Sequence, residues 1–99
     1  MIYVVTPDTP AVLGAEGANE IVQNIALIIR TRQGECPGYR EFGLPKEYIG
    51  MPVPAALRVF RNELREALQD FEVEARIVSV RGEIGPDEEL YPVVEVDIA

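Results

Sequence analysis

The sequence predicts an α+β domain in which two amphipathic helices pack on a small, mostly antiparallel β-sheet with a C-terminal hairpin. Three observations lead to this fold class. β-rich runs stand near both ends of the chain, two stretches with helical periodicity lie between them, and the turn sequence GPDEE separates the last two β-rich runs. The 99 residues form one predicted domain, 1–99, which is long enough to bury roughly 60–65% of the unfolded surface.

The first element is the short β-rich run IYVV, residues 2–5, which is followed by TPDTP. Its prolines and Asp8 make TPDTP typical of a turn or an extended segment. We therefore expect residues 1–18 to form an N-terminal arm or a short strand. The sequence leaves open whether this run pairs within its own chain or with another protein.

A first helix is predicted from Asn19 to Arg32, with Asn19 as the N-cap and Gly34 as the residue after the C-cap. At 100° per residue, six apolar side chains fall within an arc of about 160°. They are Ile21, Val22, Ile25, Ala26, Ile28 and Ile29. Leu27 lies outside this arc and is expected to meet a loop or a partner.

The second predicted helix begins near Pro52 and Pro54, because prolines are tolerated in a first turn whose N–H groups have no helical partner. Its apolar residues share one face, which is the spacing of a helix lying on a sheet. They are Val53, Ala56, Leu57, Phe60, Leu64, Ala67, Leu68 and Phe71. The flanks differ in charge, with Arg58, Arg61 and Arg65 on one side and Glu63, Glu66 and Asp70 on the other. The arginine stripe is interpreted as a solvated face, with docking of a partner as the alternative.

The first strand of the hairpin is predicted in EVEARIVSVRGEI, residues 72–84, where the apolar pattern changes phase. Val73, Ala75 and Ile77 alternate, and Val78 and Val80 then continue the alternation one residue out of step. A slip of one residue moves every later side chain to the opposite face. The shift therefore predicts a β-bulge, or a strand that is buried differently at its two ends.

The second strand, LYPVVEVDI at residues 90–98, alternates without interruption. Its inward set is Leu90, Pro92, Val94, Val96 and Ile98. Pro92 cannot donate to a ladder and predicts an edge strand or a strand's start. A sheet of so few strands has open edges, and both this strand and the N-terminal run are candidates for pairing with another chain. The alternative is that Pro92, Glu95 and Asp97 only protect the edge.

Composition limits the chemistry that the chain can perform. Its 17 acidic and 9 basic residues give a net charge of −8, which disfavours nucleic acid because phosphate binding needs clustered Lys and Arg. The chain has no histidine, so the commonest general base and transition-metal ligand are missing. We expect no catalytic residue, no cofactor, no metal and no enzymatic activity.

The sequence also predicts where the protein acts. No apolar run approaches the ~20 residues that span a bilayer, and the N-terminus lacks the regions of a signal peptide, so no membrane partner is expected. Cys36 is the only cysteine, which excludes an internal disulfide and is typical of a reducing cytosol.

The loop TRQGECPGYREFGLP, residues 31–45, concentrates glycine, proline and charge between the two helices. Three glycines predict backbone angles that other residues rarely adopt: Gly34, Gly38 and Gly43. Arg32, Glu35 and Arg40 are interpreted as an ion-pair clasp rather than as catalytic groups. Phe42 is expected to belong to the core, and the loop is interpreted as a rigid elbow.

From Asn19 to Ile98, the order of these parts resembles the small baseplate wedge proteins of contractile phage tails, a family also called tail-lysozyme-like. The related component of type VI secretion baseplates looks similar. The specific marks are TRQGE (31–35), FG (42–43) and the strand entry EAR (74–76). The family commonly has Glu-Pro-Arg at this entry, whereas Ala75 here loses the fixed φ of proline and keeps both charges.

The resemblance implies a structural role in the baseplate, at the base of the sheath. Sheath assembly would start there by exchange of extended arms, which completes sheets between chains. The implied partners are other baseplate wedge proteins and the tail sheath protein, and the implied location is the virion tail baseplate, or the bacterial cytoplasm before assembly. Glu74 and Arg76 would contact the wedge bundle. Val94, Val96 and Ile98 would form the interface that accepts a neighbouring strand.

The alternative function is a peptidoglycan-cleaving, lysozyme-like glycosidase. That chemistry needs two carboxylates about 5–9.5 Å apart across a cleft. Glu35 and Glu41 are the acidic pair in the elbow, but the chain has no tryptophan to stack a sugar ring and a domain of this size has little room for a groove. A third class, a small adaptor unrelated to tails, is predicted to be a stable monomer without affinity for sheath or wedge proteins.

Overall fold

The computed structural model describes residues 1–10, 16–35, 37–85 and 89–98; Cys36 and most of the predicted hairpin turn lie outside these ranges. The elements run β1 (Ile2–Val5), α1 (Ala18–Arg30), α2 (Val53–Asp70), β2 (Arg76–Ile84) and β3 (Leu90–Asp97). The predicted α+β class is confirmed, since two helices accompany an antiparallel three-stranded sheet. Neither helix in the described ranges is long and apolar enough to cross a membrane.

The strand order of the sheet is β1-β3-β2, so the C-terminal strand is the central one. β1 pairs with β3 from Ile2 opposite Asp97 to Val5 opposite Val94, and the N-terminal run therefore pairs within its own chain. Because β3 has a neighbour on each side, the prediction that it forms an open edge is wrong.

The interface predicted at Val94, Val96 and Ile98 must be corrected for the same reason. Val94 and Val96 are completely buried and Ile98 is 3% exposed. All three belong to the hydrophobic core, together with Val5 of β1. A strand whose inward face is wholly apolar is best placed in the middle of the sheet, where its backbone is paired and its side chains are shielded. No neighbouring chain can use these side chains without opening the core.

Pro92 is explained by the unequal lengths of the two outer strands. Met1 and Ile98 exchange both backbone hydrogen bonds, at 3.0 and 3.2 Å. In an antiparallel ladder the bonding direction alternates, so even-numbered residues of β3 face β1 and odd-numbered residues face β2. β1 ends its pairing at Val5, opposite Val94. The N–H that Pro92 lacks would therefore point to a position where no strand of the described residues pairs with β3.

The predicted bulge is present in β2. The register with β3 shifts between Ile77, which lies opposite Val96, and Ser79, which lies opposite Glu95. Val78 is the extra residue and its side chain is 42% exposed. The phase change in the sequence thus coincides with an interruption of the hydrogen-bond ladder between β2 and β3.

Helix α1 begins and ends earlier than predicted. Gly17 is its N-cap, so the assignment of this role to Asn19 is wrong, and no side chain caps the first turn. The helix ends at Arg30 because Thr31 is extended, with its hydroxyl donating to the Leu27 carbonyl at 2.7 Å. Gly34 is not the residue after the C-cap. It lies in the loop beyond.

Helix α2 presents the predicted apolar face to the sheet. Phe60 and Leu64 are completely buried and pack in the same cluster as Ile25 and Ile28 of α1. The chain enters α2 through Pro52, the N-cap residue, as the sequence predicts. The helices therefore form one layer and the sheet a second, with a single core between them.

Candidate protein interface

The most extended unpaired backbone lies along the outer edge of β2. Odd-numbered residues of β3 bond towards β2, so the backbone N–H and C=O groups of their partners Arg81 and Glu83 are hydrogen-bonded to β3. Val80, Gly82 and Ile84 then direct their N–H and C=O groups away from the sheet. Among the residues the structure describes, β3 is the only strand beside β2. This edge is a template for a further strand.

A groove opens where this edge begins, between α2 and the start of β2. Its volume is about 370 Å³, and both apolar side chains and arginines line it. Its lining consists of Arg61, Arg65, Leu68, Gln69, Val73, Ala75, Arg76 and Ile77. The groove thus joins the arginine flank of α2 to the free edge of the sheet.

Glu74 and Arg76 both fall within the predicted strand 72–84, but only Arg76 lies on a strand in the structure. The Ala75 N–H donates to the Val73 carbonyl at 2.9 Å, so Glu74 lies in a tight turn before β2 and not on the strand. Arg76 is the first residue of β2 and contacts the Asp97 carboxylate at 3.1 Å. Both side chains are exposed. Arg76 alone is joined to the sheet.

Asp97 links all three strands at this end of the sheet. It lies opposite Ile2 in β1 and opposite Arg76 in β2, and its carboxylate accepts a hydrogen bond from the Met1 ammonium at 2.9 Å. The hydrogen bond from the Met1 ammonium and the positive charge of that ammonium lower the pKa of Asp97, and the Arg76 guanidinium lowers it further. The carboxylate is therefore held in its charged form.

Backbone hydrogen bonds, and not ion pairs, hold the elbow at residues 31–45. The Leu44 N–H donates to the Thr31 carbonyl at 2.9 Å, and the Gln33 N–H donates to the Leu44 carbonyl at 3.0 Å. The predicted clasp is wrong: within the described ranges Arg32, Glu35 and Arg40 make no ion pair, and all three are exposed. Side chains that point into water gain little from pairing, so the main chain supplies the closure.

Gly43 allows the two arms of the elbow to approach each other. Its φ is +102°, and a Cβ placed on it would lie 2.3 Å from the Thr31 carbonyl oxygen. Only glycine fits both the angle and the distance. Phe42 is partly buried rather than central to the core, and its ring lies 5.8 Å from Tyr39 and 5.3 Å from Phe71. This aromatic cluster attaches the elbow to the end of α2.

Glu63 is the buried charged residue that the sequence analysis missed. The sequence places it on the acidic flank of α2 with Glu66 and Asp70, yet it is only 9% exposed. Its two carboxylate oxygens accept the N–H groups of Lys46 and Glu47, at 2.8 and 3.0 Å. Lys46 has a φ of +59°, an angle that a lysine rarely adopts. The spacing of Glu63 from Phe60, Leu64 and Ala67 matches the buried face and was the available signal.

Tyr48 packs beside this anchored turn. It is 6% exposed, and its ring meets that of Phe60 edge to face at 5.6 Å. Burial, followed by the negative charges of Glu63 and Glu89, raises the pKa of Tyr48 to about 12. The phenol therefore stays neutral at physiological pH and acts as a core side chain.

Two other grooves lie at the opposite end of the sheet. One, of about 730 Å³, has Asp8, Arg30, Lys46 and Tyr91 among its lining residues, and the Tyr91 hydroxyl donates to Asp8 at 2.9 Å. The other, of about 350 Å³, is lined by Ile49, Met51 and Ile84 among others. Neither contains an arginine pair beside a free strand.

The fold and this surface define a small two-layer α+β domain in which, over the described ranges, the outer edge of β2 is left without a paired strand. No protein family model matches the chain, and no curated protein matches it at a significant level. The resemblance to baseplate wedge proteins rests on TRQGE (31–35), FG (42–43) and EAR (74–76).

Proposed function

We propose that this chain is a structural component of the baseplate of a contractile tail or contractile injection system. It links the wedge helical bundle to the first sheath ring and initiates sheath assembly by exchange of β-strands between chains. The free edge of β2 is the observation that carries the proposal, because the nine residues of this strand have one neighbour in the described sheet. The EAR motif supports it, since it enters this same strand.

Strand addition at β2 requires no rearrangement of the core. An incoming strand would bond to the outward N–H and C=O groups of Val80, Gly82 and Ile84, and its side chains would set the register. The role predicted for the C-terminal strand thus moves to β2. The proposed contacts of Glu74 and Arg76 with the wedge bundle remain, at the start of the same edge.

The glycosidase alternative gains no support from the geometry. Glu35 and Glu41 are both exposed on the elbow and line none of the three grooves. Clearing of a peptidoglycan suspension by the purified chain, abolished by Glu35→Gln, would overturn the structural proposal in favour of this alternative.

Replacing Val80 by proline tests the proposed use of the edge. The Val80 N–H points away from β3, so proline removes an outward donor without removing a bond of the sheet. In a strain that lacks the chromosomal gene, we expect wild-type protein to restore sheathed particles and Val80→Pro to give tails without sheath. Electron microscopy of purified particles provides the measurement. Deleting residues 94–99 would be a poorer test, because it would remove part of the central strand.

Two controls accompany this variant. Val80→Ala keeps the outward N–H and loses packing, and Val4→Pro removes an outward donor from the short edge of β1. Both are expected to support sheath assembly. Sheath of normal length in the deletion strain, or with Val80→Pro in a folded protein, would refute the proposal.

The variant Arg76→Ala is expected to fold normally, because its pair with Asp97 is exposed to solvent and such pairs add little to stability. Urea denaturation should place its free energy of unfolding within about 1 kcal/mol of wild type. We expect the same variant to block incorporation into baseplates, measured by immunoblotting of purified particles. Arg81→Ala, which breaks the exposed pair with Glu95, is the matched control and should be incorporated. An unfolded Arg76→Ala protein would instead assign the residue a structural role.

A further inference from the structure

Positive charge is concentrated on one flank of α2 and is not neutralised there. Arg61 and Arg65 are four residues apart, so they neighbour each other on the helix surface. In the described part of the chain, neither guanidinium forms an ion pair. Glu66 and Asp70 repeat this arrangement with negative charge on another flank. Like charges at this spacing destabilise a helix slightly, whereas alternating signs would stabilise it.

The two arginines share their groove with apolar side chains and with free backbone. Leu68, Val73 and Ile77 line the same groove. Ile77 lies opposite Val96, and the backbone N–H and C=O of Val96 are bonded to β1. The N–H and C=O of Ile77 therefore point away from β3, towards the free edge of β2. The groove therefore combines outward hydrogen-bonding groups, an apolar surface and two unpaired cations.

We propose that this groove binds an acidic, extended segment of another protein in the assembly, a proposal that rests on the function proposed above. The segment pairs with the start of β2 and places two carboxylates against Arg61 and Arg65. Arg–carboxylate pairs of this kind are directional and can be bidentate. The arginines of the groove thereby select an acidic strand over others, and the free edge of β2 supplies the backbone hydrogen bonds that hold it.

The spacing of the two arginines agrees with an extended ligand. Four residues advance a helix by about 6 Å along its axis. Alternate residues of a strand lie about 6.4–6.8 Å apart on one face. Carboxylates at positions i and i+2 of the bound segment can therefore meet successive turns of α2.

Charge also distinguishes another protein from a second copy of this chain as the occupant. Each copy carries a net charge of −8, so two copies repel each other at long range. An acidic segment is repelled by most of this surface and attracted to the arginine flank. This combination favours docking at one place over diffuse association.

Peptide binding tests the inference directly. The probe is a capped, fluorescein-labelled peptide with three glutamates alternating with valines, and its neutral counterpart carries glutamine in place of glutamate. By fluorescence anisotropy, we expect the acidic peptide to bind at least about tenfold more tightly, with affinity that falls as salt rises. The double variant Arg61→Glu/Arg65→Glu should lose about tenfold or more in affinity. Arg32→Glu is the control, because Arg32 is exposed on the elbow, makes no ion pair in the described ranges and lines none of the three grooves; it should stay within about twofold of wild type.

Equal binding of the acidic and neutral peptides would overturn the inference, and so would an equal loss in Arg32→Glu and the double variant. Particle assembly separates this result from the proposed function. Normal sheath with the double variant, together with its absence with Val80→Pro, would refute the acidic segment and leave the baseplate role intact. Selective peptide binding by a protein whose gene deletion leaves sheath unchanged would support the groove and refute the baseplate role.

Discussion

Replacing Glu63 by alanine is expected to lower the free energy of unfolding by about 2–4 kcal/mol. The carboxylate accepts the N–H groups of Lys46 and Glu47, and a methyl group leaves both donors without their partner. Charge-assisted bonds of this kind are worth more than neutral ones, and the shortened side chain also leaves a cavity. Urea denaturation followed by circular dichroism measures the loss.

The matched control is Glu66→Ala, which removes an exposed carboxylate from the same helix and should change stability by less than about 0.5 kcal/mol. Glu63→Gln retains one oxygen acceptor and is expected to fall between the two. If Glu63→Ala were as mild as Glu66→Ala, water would be satisfying the two N–H groups, and the carboxylate would not be what holds the turn at Lys46.

Replacing Gly43 by alanine is expected to destabilise the protein by about 3 kcal/mol or more. Part of the effect is the φ of +102°, where a side chain is strained; in the left-handed region this strain amounts to about 1–2 kcal/mol. The remainder arises because the new Cβ meets the Thr31 carbonyl oxygen at 2.3 Å, which forces apart the two arms of the elbow. Urea denaturation gives the total, and hydrogen exchange at the Leu44 amide reports the local opening.

Gly34→Ala separates the two contributions to this effect. Gly34 has a φ of +92°, similar to that of Gly43, but nothing lies within 4 Å of its added Cβ. We expect it to lose only the backbone part, about 1–2 kcal/mol. Equal losses at the two glycines would show that the elbow yields without resistance and would contradict its description as a rigid connection between α1 and α2.

Local patterns predicted the features that depend on neighbouring residues. The phase change after Ile77 identified the bulge at Val78, and the alternation along β3 identified its buried side chains. The proline at the start of α2 and its apolar face were equally readable. Each of these follows from the fixed periods of strand and helix, which a sequence displays directly.

The burial of Glu63 and the closure of the elbow were harder to predict, because both depend on contacts between residues far apart in the chain. The sequence places Glu63 on the acidic flank of α2, but nothing in it shows which loop turns its N–H groups towards that position of the helix. The charges of Arg32, Glu35 and Arg40 predict an ion-pair clasp in the elbow. The backbone hydrogen bond between Thr31 and Leu44 cannot be predicted in this way, because any residue type can form it. In both cases a backbone group from a distant part of the chain decides the contact: two N–H groups bind the Glu63 carboxylate, and Leu44 closes the elbow on Thr31.

The sequence by itself determined the elements of this protein, the faces they bury and the place where β2 slips. Only the tertiary structure decided the order of the strands, and with it which edge is free. β1 pairs with β3 across about 90 residues of chain, so β3 is the central strand and β2 has one neighbour in the described sheet. Several pairings satisfy the same alternation of side chains, and the one that shields the most apolar strand on both sides prevails because it buries the most surface.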